Sequence, residues 1–280
     1  MIMLKLKRQL NTWLYSKTGD QFCRYFNAVN KIYWKYPIAV NWNRESNKIV
    51  VTEGGHRLFI ARPKRVRRYK NGIAGKLDAL ADQYLLSNID FHDGDYIVDC
   101  GANVGEVGTW LKRANKTLNV ISIEPEVSEA ECCDLNVYGG KAKTVRKALW
   151  HEPGDLTFYL KNDSGDSSLF ETKEYDFTRK VPTTTLSFLL QEQNVAALKL
   201  LKLEAEGAEP EILAGAEDCL ERIEYISADL GPERGVNHDT TAAAAINFLL
   251  SRGFELVDVR ADRLVCLFRN KRLPNARQAG

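Results

Sequence analysis

The run Tyr96-Ile97-Val98-Asp99-Cys100-Gly101-Ala102-Asn103-Val104-Gly105 climbs through apolar, β-branched residues to an acid and then breaks into two glycines. Such a break lets backbone approach a ligand closely. Val120-Ile121-Ser122-Ile123-Glu124 is a second short apolar run that ends in an acid. Leu200-Leu201-Lys202-Leu203-Glu204-Ala205-Glu206-Gly207 is a third, with two acids, and Ser227-Ala228-Asp229 closes a fourth. In an open parallel sheet, ligands bind at the carboxyl ends of the strands, so these acids and the glycine turn are expected to face one crevice. Carboxylates that converge there can hold an ammonium group, orient a hydroxyl, act as general base or chelate a hard cation.

Glycine spacing decides which nucleoside cofactor suits the crevice. A dinucleotide site needs G-x-G-x-x-G, because a pyrophosphate must rest on bare amides at a helix N-terminus. Here the turn reads Gly101-x-x-x-Gly105, with Asp99 two residues ahead of it. An anionic side chain at that point repels phosphate and suits a cationic sulfonium and an ammonium group. The pattern points to S-adenosylmethionine, with Glu124 accepting hydrogen bonds from the ribose hydroxyls. A plain strand-turn-helix capped by Asn103 would carry the same turn without a ligand. The acid at the end of the following strand favours the ligand.

The elements that must position these residues follow from the periodicity. Strands are expected at 96–100, 119–123, 144–149, 198–204 and 225–229, alternating with helices at about 104–114, 126–138, 210–221 and 240–251. A final pair, 255–259 and 264–269, is joined by Arg260-Ala261-Asp262 and must run antiparallel. The expected fold is therefore α/β: a Rossmann-like, mostly parallel seven-stranded sheet with an antiparallel last strand and helices on both faces. Segment 151–190 interrupts the rhythm with a hairpin and the polar loop Lys161 to Ser168, placed as a flap near the crevice. Residues 271–280 form a basic tail expected to be disordered.

With 280 residues and 44% hydrophobic content, the chain can bury one substantial core plus an appendage. We divide it into an extension, 1–75, with its own helices and a hairpin at 47–51 and 57–61, and a catalytic domain, 76–270. Six cysteines show no C-x-x-C pair and no zinc-ligand spacing, which reads as reduced cytosolic thiols. No continuous apolar stretch of signal-peptide or spanning length follows Met1 to Gln9, so a cytoplasmic chain is expected.

A net charge of +2 hides strong polarisation: residues 1–75 hold 16 Lys/Arg against three Asp/Glu, leaving 23 basic and 34 acidic residues for the rest. The extension is expected to meet an anionic partner. Its aromatics, among them Trp13, Tyr25, Phe26 and Tyr33, suit either packing onto the catalytic domain or contact with the inner membrane surface. The run Arg62 to Lys70, with Arg65, Arg67 and Arg68, could grip phosphate or carboxylate groups of a substrate.

At this point the chain resembles the FkbM family of class I methyltransferases. Asp99-Cys100-Gly101-Ala102-Asn103-Val104-Gly105 is similar to that family's D-x-G-A-N-x-G turn, and Glu124-Pro125 to its acid-proline pair. Lys202-Leu203-Glu204-Ala205-Glu206-Gly207-Ala208-Glu209 resembles its K-[IL]-D-x-E-G-x-E signature, with Glu204 where Asp is usual. Ser187 also departs from a common Asp. The resemblance covers roughly 80–270 and implies methyl transfer to hydroxyls of sugars, glycans or glycosylated natural products. It implies a cofactor set of Asp99, Gly101, Ala102, Asn103, Gly105, Glu124, Pro125, Lys147, Ala148 and Glu204.

Methyl transfer from a sulfonium is an in-line displacement, so the protein must align a hydroxyl and remove its proton. Glu204, Glu206, Asp229 and the loop residue His238 are the catalytic candidates, and Lys202 joins the arginines as a substrate contact. Mg²⁺ on Glu204, Glu206 and Asp229 is a mechanistic alternative that we do not favour. The acceptor expected from the basic extension is an anionic glycan or sugar conjugate; an oligomer stays open. An RNA methyltransferase and a non-catalytic anion-binding module are the competing functions. The clustered acids oppose a nucleic-acid backbone, so no specific nucleic acid is expected.

Overall fold

The computed structural model describes residues 2–161 and 167–273. Residues 162–166, the middle of the expected flap loop, and 274–280, most of the expected tail, lie outside the described residues. No helix among those described is long and apolar enough to cross a membrane.

The chain opens with α1 (Ile2–Tyr15) and α2 (Gly19–Val29), which runs on into a π-helical turn, Asn30–Trp34. A three-stranded antiparallel sheet follows, formed by β1 (Ala39–Asn43), β2 (Lys48–Glu53) and β3 (His56–Ile60) in that order. The expected hairpin is β2 and β3; β1 is an addition to it, because its single buried residue gave too little alternation to read. Phe22 and Phe26 on α2 bury against Val40, Val51, Leu58 and Ile60 of this sheet. Of the aromatics, Phe22 and Phe26 are interior, while Trp13, Tyr25 and Tyr33 stay exposed.

Beyond it the basic run folds as a 3-10 helix, Pro63–Tyr69, with Pro63 at the first turn where a missing N–H costs nothing. It turns inward as much as outward: Arg65, Val66 and Tyr69 are buried. Next come α3 (Ile73–Gln83), β4 (Tyr96–Cys100), α4 (Glu106–Ala114), β5 (Asn119–Ile123) and α5 (Val127–Val137). Leu77, Leu80 and Ala81 give α3 its buried stripe.

The remaining elements are β6 (Ala148–Leu149), β7 (Gly154–Leu160), β8 (Phe177–Thr184), α6 (Leu186–Glu192), β9 (Leu198–Leu203) and α7 (Glu209–Ala214). After them lie β10 (Ile223–Asp229), β11 (Pro232–Arg234), β12 (Asp239–Thr240), α8 (Ala242–Ser251), β13 (Phe254–Arg260) and β14 (Val265–Asn270). The central sheet runs β13-β14-β10-β9-β4-β5, parallel except for β14. Alternate residues feed its two faces. Val98, Leu201 and Phe268 pack towards α6, α7 and α8, whereas Ile97, Leu200 and Leu267 pack towards α3 and α4.

The expected seventh strand is reduced. Residues 144–149 touch β5 through one parallel bridge, Ile123 to Val145, and then leave as β6 to pair with β8 in a separate three-stranded sheet with β7. The expected helix 210–221 also divides, into α7 and a 3-10 turn, Glu217–Arg222, around Gly215. At Gly215 a side chain would strike the carbonyl oxygen of Trp150, so the glycine is what lets these backbones pass.

The extension and the catalytic domain share one core, since Val104 and Cys132 belong to the cluster around Phe22 and Phe26. Asn136 on α5 closes the seam by donating to the carbonyls of Phe59 (2.9 Å) and Val104 (2.7 Å) while accepting the Phe59 amide at 2.8 Å. Phe26→Ala is therefore expected to cost about 3–5 kcal/mol. Urea denaturation followed by both fluorescence and circular dichroism should still show one coincident transition, because the two parts unfold together.

Candidate active site

The turn after β4 is held from three sides. The amides of Gly101 and Ala102 both donate to the Ile123 carbonyl at 3.0 Å, which ties the turn to the end of β5. Gly101 has φ +73°, and a side chain there would meet the Glu204 carbonyl oxygen, so backbone from β9 and backbone from the turn touch directly. The Asn103 amide donates to Glu124 Oε2 at 2.9 Å. Asn103 Oδ1 in turn accepts from the Val104 amide at 2.8 Å and from the Arg65 guanidinium.

Glu124 is buried at the end of β5, and its Oε1 accepts the Glu126 amide at 2.8 Å. Burial raises its carboxyl to about 7, against the pull of the Glu126 and Asn103 amides. It stands in the cleft with its orientation fixed by two backbone donors, as a group that receives vicinal hydroxyls must.

Beside it lies an internal charge cluster. Lys202, only 1% exposed, extends from β9 with its Nζ 3.1 Å from Asp99 Oδ1 and 3.3 Å from Glu204 Oε2. The same ammonium donates to the carbonyls of Cys100 (3.1 Å) and Gly101 (3.0 Å) and lies 4.9 Å from the centre of the Tyr84 ring. Burial opposes its charge, but Asp99 and Glu204 outweigh that and hold Lys202 above the usual lysine range. Burial likewise opposes the Glu204 charge, yet Lys202, Tyr84 and Arg263 together keep its carboxyl below the usual range.

Glu124, Tyr84 and Glu204 border an open cleft. Of the expected cofactor residues, Gly101, Asn103, Glu124, Pro125, Lys147, Ala148 and Glu204 line it. Asp99 does not: it is 0% exposed and faces Lys202 instead of the crevice. Ala102 is buried behind the turn. Gly105 packs against α5, where a side chain would come within 2.7 Å of Val137 and 2.9 Å of Cys133. These three shape the turn without bordering the cleft.

The expected substrate contacts divide in the same way. Arg65 and Arg68 line the cleft, whereas Arg67 is exposed outside it. Lys202 is corrected from substrate contact to internal counter-ion, because two carbonyls and two carboxylates close around its buried ammonium. Among the catalytic candidates, Glu204 and Glu206 line the cleft. His238 sits exposed at the tip of the β11–β12 hairpin, away from it. Asp229 is buried and held by Arg263 at 2.8 Å.

Of the alternative Mg²⁺ set, Glu204 faces Lys202 at 3.3 Å and Asp229 faces Arg263 at 2.8 Å. Among the described residues no group of three or more His, Cys, Asp or Glu is placed to hold a metal ion. The sequence reading missed Lys76, Tyr84, Glu106, Phe158 and Arg263, all of which line the cleft. Arg263 meets Asp229 and Glu233 at 2.8 Å and comes within 3.9 Å of Glu204. Nothing distinguishes it in sequence from any hairpin cation.

An antiparallel strand inserted next to the edge of a parallel sheet, a glycine turn after the first central strand and a buried acid after the second define a class I S-adenosylmethionine-dependent methyltransferase. The family model "Methyltransferase FkbM domain" matches residues 99–256, and the chain belongs to this family. Among similar proteins, the 2-O-methyltransferase NoeI of Sinorhizobium fredii is 21% identical over 217 residues, 71% of this chain and 88% of its own. Methyltransferase 1 of Beauveria bassiana is 24% identical over 199 residues, 61% of this chain and 77% of its own. The crystal structure of methyltransferase FkbM from Methylobacillus flagellatus KT aligns with a TM-score of 0.46 at 18% identity. That alignment covers 65% of this chain and 45% of the other, so this chain spans less than half of it.

Two measurements test the site. Lys202→Met leaves Asp99 buried without a counter-charge and is expected to cost about 3–5 kcal/mol; adding Asp99→Asn should restore part of that. Chemical denaturation of the single and double variants decides it, and an undiminished stability in Lys202→Met would refute the internal pairing. The second concerns pH. Because the folded chain raises Glu124 from 4.5 to about 7, it holds a proton that the unfolded chain has released between those values. That stabilisation is complete below the lower value and is lost as pH rises through the upper one. Glu124→Gln should flatten part of this fall when urea midpoints are compared across the window.

Proposed function

We propose that this chain transfers a methyl group from S-adenosylmethionine to a hydroxyl of a sugar, glycan or glycosylated natural product. The observation that carries the reading is the meeting, in one cleft, of Glu124 beside the glycine turn with Glu204 and Glu206 at the end of β9. The cleft fits the cofactor. Gly101 leaves bare backbone at the turn, Leu149 and Phe158 offer apolar walls, and Glu204 is a carboxylate kept ionised. Glu124 would hold the ribose hydroxyls and Glu204 the ammonium group. When bound, the cofactor supplies an electrophilic methyl carbon.

The chain's own task is then to orient a hydroxyl and take its proton. Glu206 is the group we assign to that step. Glu204 is engaged by Lys202 and held below the usual carboxylate range, which makes it a weak base, and Asp229 is neutralised by Arg263. NoeI, named as a 2-O-methyltransferase, supports an oxygen acceptor. An RNA acceptor is disfavoured by the fold of the basic run: Arg65 and Tyr69 are buried, and Arg62 is committed to Glu129 at 2.8 Å. Lys64, Arg67, Arg68 and Lys70 remain exposed, so the run is an interrupted cationic surface and not a continuous one.

The test is methyl transfer from labelled S-adenosylmethionine to a panel of mono- and oligosaccharides, alongside calorimetry with S-adenosylhomocysteine. Glu206→Gln should lower kcat by about 10²–10⁴ while leaving S-adenosylhomocysteine binding intact. Full turnover in that variant would remove Glu206 from the role, and transfer to RNA but to no glycan would overturn the acceptor class.

A further inference from the structure

The cleft is lined by charges of both signs, with Glu106, Lys147 and Arg263 among them. Glu124, Glu204 and Glu206 come from the ends of sheet strands, whereas Arg65, Arg68 and Lys76 come from the 3-10 helix and the first turn of α3. Lys76 differs from the other cations around it. It is partly buried, it lines the cleft, and its side chain makes no hydrogen bond or ion pair with a described residue.

The acids near Lys76 are engaged elsewhere. Glu106 accepts the Tyr69 hydroxyl at 2.7 Å, and Glu204 faces Lys202 at 3.3 Å. Burial lowers the proton affinity of Lys76; Glu106 and Glu204 oppose that, and Arg68 and Arg65 add to it. A half-buried ammonium that makes no ion pair with a described side chain, with two guanidinium groups beside it, favours an added anion. Arg65 makes this wall rigid, because its guanidinium is anchored on Asn103.

We infer that Lys76 and Arg68, backed by Arg65, form a docking site for an anionic group, carboxylate or phosphate, carried by the acceptor next to the hydroxyl that is methylated. This rests on the hydroxyl-acceptor reading above and narrows it to sugar acids or sugar phosphates. Glu204 acts on Lys76 through charge and shares the cleft with Glu206, so an anion docked on Lys76 keeps the neighbouring hydroxyl in the same cleft as the carboxylates. Charge-assisted hydrogen bonds from a lysine and a forked guanidinium suit either anion.

Ligand-observed NMR titration tests it, with glucuronate, glucose 1-phosphate and neutral glucose as probes, on cofactor-free protein and on protein saturated with S-adenosylhomocysteine. At least one anionic probe should bind about tenfold more tightly than glucose. Lys76→Met should abolish that preference and Lys76→Arg should retain it. Lys70→Met, an exposed cation of the same basic run, should leave it unchanged. Whichever anion binds more tightly identifies the acceptor's charged group. Equal binding of charged and neutral probes, or a preference that survives Lys76→Met, would overturn the inference. If S-adenosylhomocysteine binds while the anions show no preference, the docking site falls and the methyltransferase reading stands. If S-adenosylhomocysteine fails to bind, the cofactor reading falls, and the cofactor-free titration still decides the docking site.

Discussion

The contact between Lys202 and Asp99 is the constraint around which the catalytic domain is arranged. The two residues sit directly opposite each other in the parallel pairing of β9 with β4. A buried ion pair adds little net stability relative to apolar residues of the same size, but a broken one is severely unfavourable. A register slip would separate the charges and move every side chain of β9 to the wrong face. The pair thus fixes which Leu of β9 meets which helix layer. It also brings Glu204 against Gly101, because the same ammonium binds the carbonyls at the end of β4.

That register explains why the cleft lies where it does. β5 is reached from β4 on one side and β9 lies on the other, so the chain reverses direction of progress at β4. Loops after β4, β5 and β9 diverge around the reversal point and leave a crevice between them. Gly101, Glu124 and Glu204 are the first residues after those strands, and all three border the crevice.

Much of this was legible in the sequence because it is local. A strand that ends in an acid and a glycine turn is written in consecutive residues, and β4, β5, β9, β10, β13 and β14 stand close to where periodicity placed them. Partners were not legible, since pairing depends on which distant strand lies alongside. Lys202 reads as a cation available to substrate until β4 is set beside it, and Asp99 reads as a cofactor ligand for the same reason. His238 and Asp229 shared this weakness: the first stands on a small hairpin that no pattern announced, and the second is claimed by Arg263 from another hairpin. Lys76 looks like any solvated cation in the first turn of a helix. Only in the fold is it seen to line the cleft, half-buried beside Arg65 and Arg68.

Arg65 lies in the extension, yet its guanidinium binds Asn103 in the turn that borders the cofactor crevice. Through this contact the extension helps to hold the turn in place, and any coupling between the two regions would be reciprocal. Excising residues before α3 would therefore not yield a minimal enzyme. It would yield a glycine turn released from its contact with Arg65.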